Sequence, residues 1–181
     1  HQFFFPRNLL ILGNLFKMCE SSPYKRQIIF VLTSVLVKTA SKLHNIGIKD
    51  GKINLAGAMP LVLYIPSAVA ERNLFELIRG KIRDISPVFT RSISDLNIVS
   101  TGDAGNLPIQ KDTIDYIFVD PPFGSNINYS ELNFIWESWL KVITAPGKEA
   151  IVNKTQRKGV VDYQKLMQLC FEEFNRILKP N

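Results

Sequence analysis

Residues 114–124 constrain the fold of this chain more than any other stretch, because a strand pattern runs directly into an acid and two prolines. The apolar, β-prone residues 114–119 predict a central strand covered on both faces. Pro121 and Pro122 lack the N–H that a strand ladder needs, so the predicted strand ends at Asp120. We therefore expect the Asp120 carboxylate at the carboxyl edge of an open α/β sheet, where such sheets bind their ligands.

The residues that follow the predicted strand suit a planar molecule that carries an amino group. The Asp120 carboxylate and the Pro121 carbonyl can both accept hydrogen bonds from an NH2 group, and the Phe123 ring can stack on a heterocycle. Holding the amine by its protons turns the nitrogen lone pair toward an electrophile on the opposite side. The alternative is a proline-rich turn with an incidental acid. The coincidence of strand pattern, acid, two prolines, aromatic ring and glycine favours the binding site.

The motif at residues 120–123 resembles the (Asp/Asn/Ser)-Pro-Pro-(Tyr/Phe/Trp) motif of S-adenosylmethionine-dependent methyltransferases that modify exocyclic amines in nucleic acids. The longer run 115–133 resembles the adenine-specific DNA methylase branch of these enzymes, in which a Tyr-Ser-(Asp/Glu)-Leu segment follows the motif and opens a helix. The similarity continues through residues 153–156 to residues 176–180, and it is loose over residues 1–90.

This resemblance implies a fold, a cofactor and a reaction. The fold is α/β, with a partial Rossmann-like methyltransferase sheet flanked by helices, and the cofactor is S-adenosylmethionine. The reaction is methylation of an exocyclic amine of a DNA base, with adenine as the expected target. The resemblance assigns the catalytic motif to Asp120, Pro121, Pro122 and Phe123.

The resemblance also implies a cofactor site before the catalytic motif. A Gly-Asp-Ala tract precedes the motif in the resembling enzymes, and its acid lies near the adenine of the cofactor. Asp103 matches that acid here, Ala104 would lie beside the ring, and Asp120 completes the expected set. A carboxylate at a strand end can accept from the adenine amine. The alternative for Asp103 is an Asx turn that stabilises a loop.

The target base is expected to contact the stretch that follows the motif. Asn126, Asn128 and Tyr129 stand where a flipped base would emerge, next to the stacking ring of Phe123. No metal ligand set is predicted, because the two histidines and two cysteines show no ligand spacing.

Two other functions stay open at the level of sequence. The first is an RNA methyltransferase acting on guanine or adenine amines, which uses similar motifs. The second is a non-catalytic module that keeps the fold and binds nucleic acid without cofactor affinity. Comparing DNA with RNA as methyl acceptors, and measuring cofactor binding, separates these alternatives.

Length and charge agree with a nucleic-acid partner without establishing one. The 181 residues predict a single methyltransferase-like domain, with a mainly helical part at 1–90 and the catalytic motif in 91–181. Lys and Arg number 22 against 16 Asp and Glu, a net charge of +6, which favours a polyanion such as DNA or RNA. A solvated basic surface explains such a charge equally well.

The cysteines and the hydropathy pattern predict a cytoplasmic protein without a membrane span. Cys19 and Cys170 fall in amphipathic helical stretches and are expected to be free buried thiols, as in a reducing compartment. The apolar run at residues 28–37 is shorter than the roughly 20 residues that a bilayer crossing needs.

One expected component of the resembling enzymes is missing. They cradle the methionine part of the cofactor in a glycine-rich loop after a first strand, and the isolated glycines of this chain do not match it. We therefore expect a further segment or subunit to carry that loop, and this chain to be part of a longer protein.

Periodicity predicts helices alternating with short strands. The predicted helices are a first one entered at Pro6, then 25–43, one capped by Ser67 that ends at 84, 131–142 opened by Ser130, and 162–178 capped by Asp162. Further strands are predicted at 61–65 and 96–100, and a short hairpin within 45–57.

Overall fold

The computed structural model describes residues 2–59, 61–89, 97–125 and 127–180. Within these ranges the fold is mixed α/β, with five α-helices and one two-stranded antiparallel sheet. The chain divides into two compact units: the first comprises His1–Ile93 with Leu132–Ile143, and the second comprises Ser94–Glu131 with Thr144–Asn181. The interpretation of the whole chain as a single domain remains a prediction.

The first unit opens with two helices, as predicted. Helix α1 (Pro6–Cys19) has proline in its first turn, where the missing N–H costs no hydrogen bond and the fixed φ suits a helix. Helix α2 (Lys25–Val35) runs into a π-helical turn (Leu36–Ala40). The helical path ends slightly before the predicted point because Ser41 is extended and its hydroxyl donates back to the last turn.

A β-hairpin follows in the predicted place. Strands β1 (His44–Lys49) and β2 (Lys52–Ala58) pair antiparallel around the two-residue turn Asp50-Gly51. Both turn residues have positive φ, 53° and 70°, as a type I′ turn requires. Aspartate followed by glycine is the sequence that tolerates this turn best, so a local signal determines the hairpin.

Helix α3 (Leu74–Phe89) begins later than the sequence predicted. The Asn73 side-chain oxygen accepts the Phe75 N–H at 3.0 Å, so Asn73 provides the cap and the prediction of Ser67 was wrong. The predicted strand at residues 61–65 was also wrong, since this stretch is irregular and Leu61 has a φ of 63°.

Helix α4 (Tyr129–Leu140) packs two tryptophans, Trp136 and Trp139, against the core of the first unit. Trp136 Nε1 donates to the Thr33 carbonyl at 3.1 Å, and the Trp139 ring stacks on Phe16 with centroids 5.0 Å apart. Both tryptophans are thus partly buried and pack against the core of this unit, whereas Phe134 of the same helix is exposed. The buried apolar residues of this core are Phe4, Leu12, Leu32, Val35, Leu36, Ala40, Leu43, Leu74 and Ile135.

The second unit is built on helix α5 (Val160–Ile177). The Asp162 carboxylate accepts the Gly159 N–H at 2.8 Å, so it caps the helix as predicted, although from inside the first turn. At the other end, the Ile177 carbonyl accepts two N–H groups from Thr113 and Ile114, both at 2.9 Å. Each cysteine lies on a helix as predicted, Cys19 on α1 and Cys170 on α5; the Cys19 thiol is free and buried, whereas the Cys170 thiol is free and only partly buried.

The central strand predicted for residues 114–120 is not formed in the described part of the chain. Ile114 makes one parallel bridge to Leu178, and the backbone from 116 to 120 is irregular. The Phe118 side chain is 82% exposed, so the expectation of a strand buried on both faces was wrong. β-Propensity is expressed only where a neighbouring strand pairs with the backbone, and no such neighbour lies beside the described residues here.

The strand predicted at 96–100 meets the same correction. Leu96 lies outside the described residues, and residues 97–100 are irregular, with the Val99 side chain 97% exposed. None of the described helices combines the length and apolar character that crossing a bilayer requires.

Candidate functional site

Three residues of the Asp-Pro-Pro-Phe motif carry groups that are exposed or make no hydrogen bond within the described residues. Asp120 is exposed and, within the described ranges, its carboxylate makes no hydrogen bond or ion pair. The Phe123 ring is 71% exposed. The Pro121 carbonyl likewise has no donor among the described residues. A carboxylate, a carbonyl and a flat ring within four consecutive residues are thus all open to a ligand.

Hydrogen bonds from other parts of the second unit fix the motif backbone at Pro122 and Gly124. The Tyr163 hydroxyl donates to the Pro122 carbonyl at 2.8 Å, and the Val152 N–H donates to the Gly124 carbonyl at 3.2 Å. Gly124 has a φ of 70°, a left-handed conformation that glycine adopts without steric cost. The chain therefore turns sharply after Phe123, and both carbonyls that flank the ring are fixed.

An apolar groove of about 750 Å³ lies beside Pro121, along one face of helix α5. Tyr163, Met167 and Phe171 form its apolar wall because they recur every four residues. The remaining lining residues are polar and come from the same helix: Gln164, Gln168, Glu172 and Asn175. The motif therefore has an open, mainly apolar surface beside it.

The predicted base-contacting stretch follows the motif and ends at Tyr129, the first residue of helix α4. Asn126 lies outside the described residues. Asn128 is half-buried, and its Oδ1 accepts from Asn153 Nδ2 at 3.1 Å, while Tyr129 is about one-third exposed at 37%. Their assignment as base contacts remains a prediction.

Glu149 ties this stretch to the rest of the unit. Its carboxylate accepts the Ser130 backbone N–H at 2.9 Å and the Ser130 hydroxyl at 2.7 Å. Gln156 Nε2 donates to the same carboxylate at 3.3 Å. Helix α4 begins at Tyr129, two residues before the predicted start at 131, so Ser130 lies inside its first turn and the prediction of Ser130 as the cap was wrong.

Residues 149–163 thus hold the motif backbone and Asn128. Four residues of this segment form hydrogen bonds: Glu149 with Ser130, Val152 with Gly124, Asn153 with Asn128 and Tyr163 with Pro122. The motif and the predicted base-contacting residues therefore share one scaffold, which the sequence did not reveal.

Asp103, the predicted cofactor contact, is already engaged. Its Oδ2 pairs with Lys148 Nζ at 2.7 Å, and its Oδ1 accepts the Gly105 N–H at 3.0 Å. The hydrogen bond from Lys148, followed by that from Gly105, lowers the pKa of the Asp103 carboxyl. The bond to Gly105 is the Asx turn that the sequence left open as the alternative. Ala104 is exposed, and the roles of both residues at a cofactor remain predictions.

A second acid organises the loop that follows Asp103. The Glu173 carboxylate accepts the Leu107 N–H and the Arg176 guanidinium, each at 2.7 Å. Arg176 in turn donates to the Leu107 and Ile109 carbonyls. The Arg176 guanidinium, with help from the Leu107 N–H, lowers the pKa of Glu173 to about 2. This clamp fastens residues 107–109 to helix α5.

The basic segment 153–158 folds into a tight turn. Asn153 and Lys158 exchange two backbone hydrogen bonds, of 3.0 and 2.9 Å, and Arg157 has a φ of 55°. The Lys158 ammonium donates to the backbone carbonyls of Pro146 and Glu149. Lys154 and Arg157 are exposed, so two of the three cations remain available to an anionic partner.

Sequence reasoning missed the residues that hold the site in place. Tyr163 carried a usable signal, since an aromatic residue directly after the capping Asp162 lies in the first turn of a helix and shares a stripe with Met167 and Phe171. Glu149 and Lys148 carried none, because each acts on a residue far away in the chain.

Comparison with protein-family models, with curated proteins and with solved structures finds no match for this chain. Among the described residues, no three His, Cys, Asp or Glu side chains come together in a group that would hold a metal ion.

Proposed function

We propose that this protein transfers a methyl group from S-adenosylmethionine to an exocyclic amine of a DNA base, with adenine as the target. The observation that carries the proposal is the free Asp120 carboxylate, which stands beside the open Pro121 carbonyl and the exposed Phe123 ring. These three groups are free to contact a ligand, while hydrogen bonds to the Pro122 and Gly124 carbonyls hold the motif backbone.

The chain's own residues position the substrate. The Asp120 carboxylate and the Pro121 carbonyl accept hydrogen bonds from the two N–H groups of the amine, and Phe123 stacks on the flipped base. This grip directs the nitrogen lone pair away from the motif. Positioning is expected to supply most of the rate acceleration, on the scale of the effective molarities seen in oriented reactions. Asp120 does not need to be a strong base, because the nitrogen would first bond to the methyl carbon as the carbon–sulfur bond breaks. The sulfonium would leave as a neutral thioether, and only then would the nitrogen release one proton to Asp120 or to water.

The fit to S-adenosylmethionine is partial. The bound cofactor would supply an electrophilic methyl group on a sulfonium centre. Asp103 offers carboxylate lone pairs of the kind that accept from an adenine amine, although Lys148 and Gly105 already use part of that capacity. The chain has no glycine-rich loop for the methionine end. The proposal therefore includes a further segment or subunit that provides this loop.

The proposal also includes the finer features of the fold and setting. The finer fold proposed is a partial Rossmann-like methyltransferase sheet flanked by helices, and it rests on the resemblance of the motif at residues 120–123. DNA would contact the exposed cations Lys154 and Arg157 through its phosphates. A cytoplasmic location agrees with the two free thiols.

The decisive experiment measures transfer of a labelled methyl group by the full-length protein to DNA, with transfer RNA and ribosomal RNA as competing acceptors. Asp120→Ala is expected to lower transfer by at least about a hundredfold, the scale on which one well-placed polar group contributes. Asp115→Ala is the matched control, because Asp115 is an exposed acid on the same segment and, among the described residues, pairs only with Lys179.

The outcomes separate the alternatives. Equal rates for Asp120→Ala and wild type would remove Asp120 from the mechanism. Transfer to RNA with none to DNA would replace the substrate. No transfer, together with no heat of S-adenosylmethionine binding in calorimetry, would leave a non-catalytic module that binds nucleic acid.

A further inference from the structure

We propose that Tyr163 is a positioning residue that orients the Asp-Pro-Pro-Phe motif through the Pro122 carbonyl; this inference rests on the proposed methyl transfer. The Tyr163 hydroxyl donates to that carbonyl at 2.8 Å across a separation of 41 residues. The side chain is partly buried and borders the groove beside Pro121. The Tyr163 hydroxyl therefore contacts the motif at Pro122 and does not engage Asp120.

Because the motif contains two consecutive prolines, one hydrogen bond can fix much of its backbone conformation. The rings hold φ of Pro121 and Pro122 near −65°, so ψ is the main remaining freedom at each. The Pro122 carbonyl belongs to the peptide plane that leads into Phe123. A donor that fixes this carbonyl fixes ψ of Pro122, and with it the point from which the Phe123 ring projects.

The same bond selects the acceptor for the substrate. With the Pro122 carbonyl occupied by Tyr163, the Pro121 carbonyl is the one left open beside the Asp120 carboxylate. The Pro121 carbonyl therefore stays available to a donor group of the ligand.

Tyr163 is itself held by a rigid element. Its N–H donates to the Gly159 carbonyl at 3.1 Å in the first turn of α5, and the Asp162 carboxylate accepts the Gly159 N–H at 2.8 Å. The capped first turn restricts the direction in which the ring leaves the helix. Support of this kind from a regular element positions functional groups more accurately than a loop does.

The test is Tyr163→Phe in the full-length protein, which removes only the hydroxyl. We expect kcat for methyl transfer to fall about five- to tenfold, the effect of losing one oriented hydrogen bond, with KM for DNA and cofactor changed less than about twofold. Tyr116→Phe is the matched control, because Tyr116 is exposed and its hydroxyl has no partner among the described residues. Its kcat is expected to equal that of wild type.

A second background shows whether Tyr163 acts through the ring. If the hydroxyl orients Phe123, its removal has less than about a twofold effect on kcat in a Phe123→Ala protein, since effects transmitted through one residue are not additive. A fall in kcat that persists in that background, accompanied by a lower melting temperature, would assign Tyr163 a purely structural role. An active wild type with a Tyr163→Phe variant indistinguishable from Tyr116→Phe would remove the positioning role alone. An inactive wild type would overturn the proposed function and this inference together.

Discussion

The carboxylate of Glu149 accepts two hydrogen bonds from Ser130, one from the backbone N–H at 2.9 Å and one from the hydroxyl at 2.7 Å. Ser130 lies in the first turn of α4, where backbone N–H groups have no partner within the helix. A negative charge there also interacts favourably with the positive end of the helix dipole. Glu149 thus stabilises the beginning of the helix directly behind the predicted base-contacting stretch.

Removing this cap is expected to cost measurable stability. Glu149→Ala should lower the free energy of unfolding by about 1 kcal/mol, as typical caps do. Ser130→Ala keeps the backbone N–H bond and loses only the hydroxyl bond, so it should cost about half as much. Urea unfolding followed by circular dichroism checks both variants. An unfolding free energy of Glu149→Ala equal to that of wild type would contradict the capping role.

Gly124 is predicted to be the least replaceable glycine near the motif. Its φ of 70° makes Gly124→Ala cost about 1–2 kcal/mol, because a Cβ is strained in the left-handed region. Gly80→Ala is the control, since Gly80 lies inside helix α3 with open space around it. That change should raise the free energy of unfolding by up to about 1 kcal/mol. Thermal unfolding of both variants would show opposite shifts, and a shift of the same sign in both would contradict the assignment.

The clamp between Glu173 and Arg176 predicts a dependence of stability on pH. The Glu173 pKa is about 2 in the folded chain, against 4.5 as its ordinary value, so the unfolded state binds more protons. The stabilisation by Glu173 is therefore complete above pH 4.5 and is lost as the pH falls toward 2.

Melting curves between about pH 6 and about pH 2.5 test this dependence. Glu173→Gln should melt below wild type at the upper end of this range, and the difference should shrink as the pH falls. Glu172→Gln is the matched control, because Glu172 is exposed on the same helix and accepts only from Gln168 in the described chain. A constant difference between Glu173→Gln and wild type across the range would rule out the linkage.

Local signals in the sequence predicted the helices and the hairpin well. Proline at the start of α1, aspartate and glycine at the hairpin turn and Asp162 in the first turn of α5 each act through neighbours within a few residues. Such interactions depend little on the rest of the fold. The start of α3 was missed because Ser67 and Asn73 are both competent caps, and the choice between them depends on where the following helix packs.

The predicted strands failed for the opposite reason. Residues 114–119 have the composition of a central strand, but a strand exists only when another strand accepts and donates its backbone hydrogen bonds. In the described chain the pairing stops after Ile114, which bridges to Leu178. The β-propensity of a residue depends on its own side chain, whereas strand formation depends on a neighbouring strand that pairs with its backbone.

The chemistry of the Asp-Pro-Pro-Phe motif follows directly from its residue types, because a carboxylate, two rigid rings and an aromatic side chain stand in consecutive positions. Tertiary structure alone decided which of these groups are free. Tyr163 occupies the Pro122 carbonyl, Lys148 occupies Asp103, and Asp120 has no partner in the described part of the chain. The physical reason is that a hydrogen bond between residues far apart in the chain depends on how the intervening backbone folds, and a linear pattern of residue types carries no record of that distance.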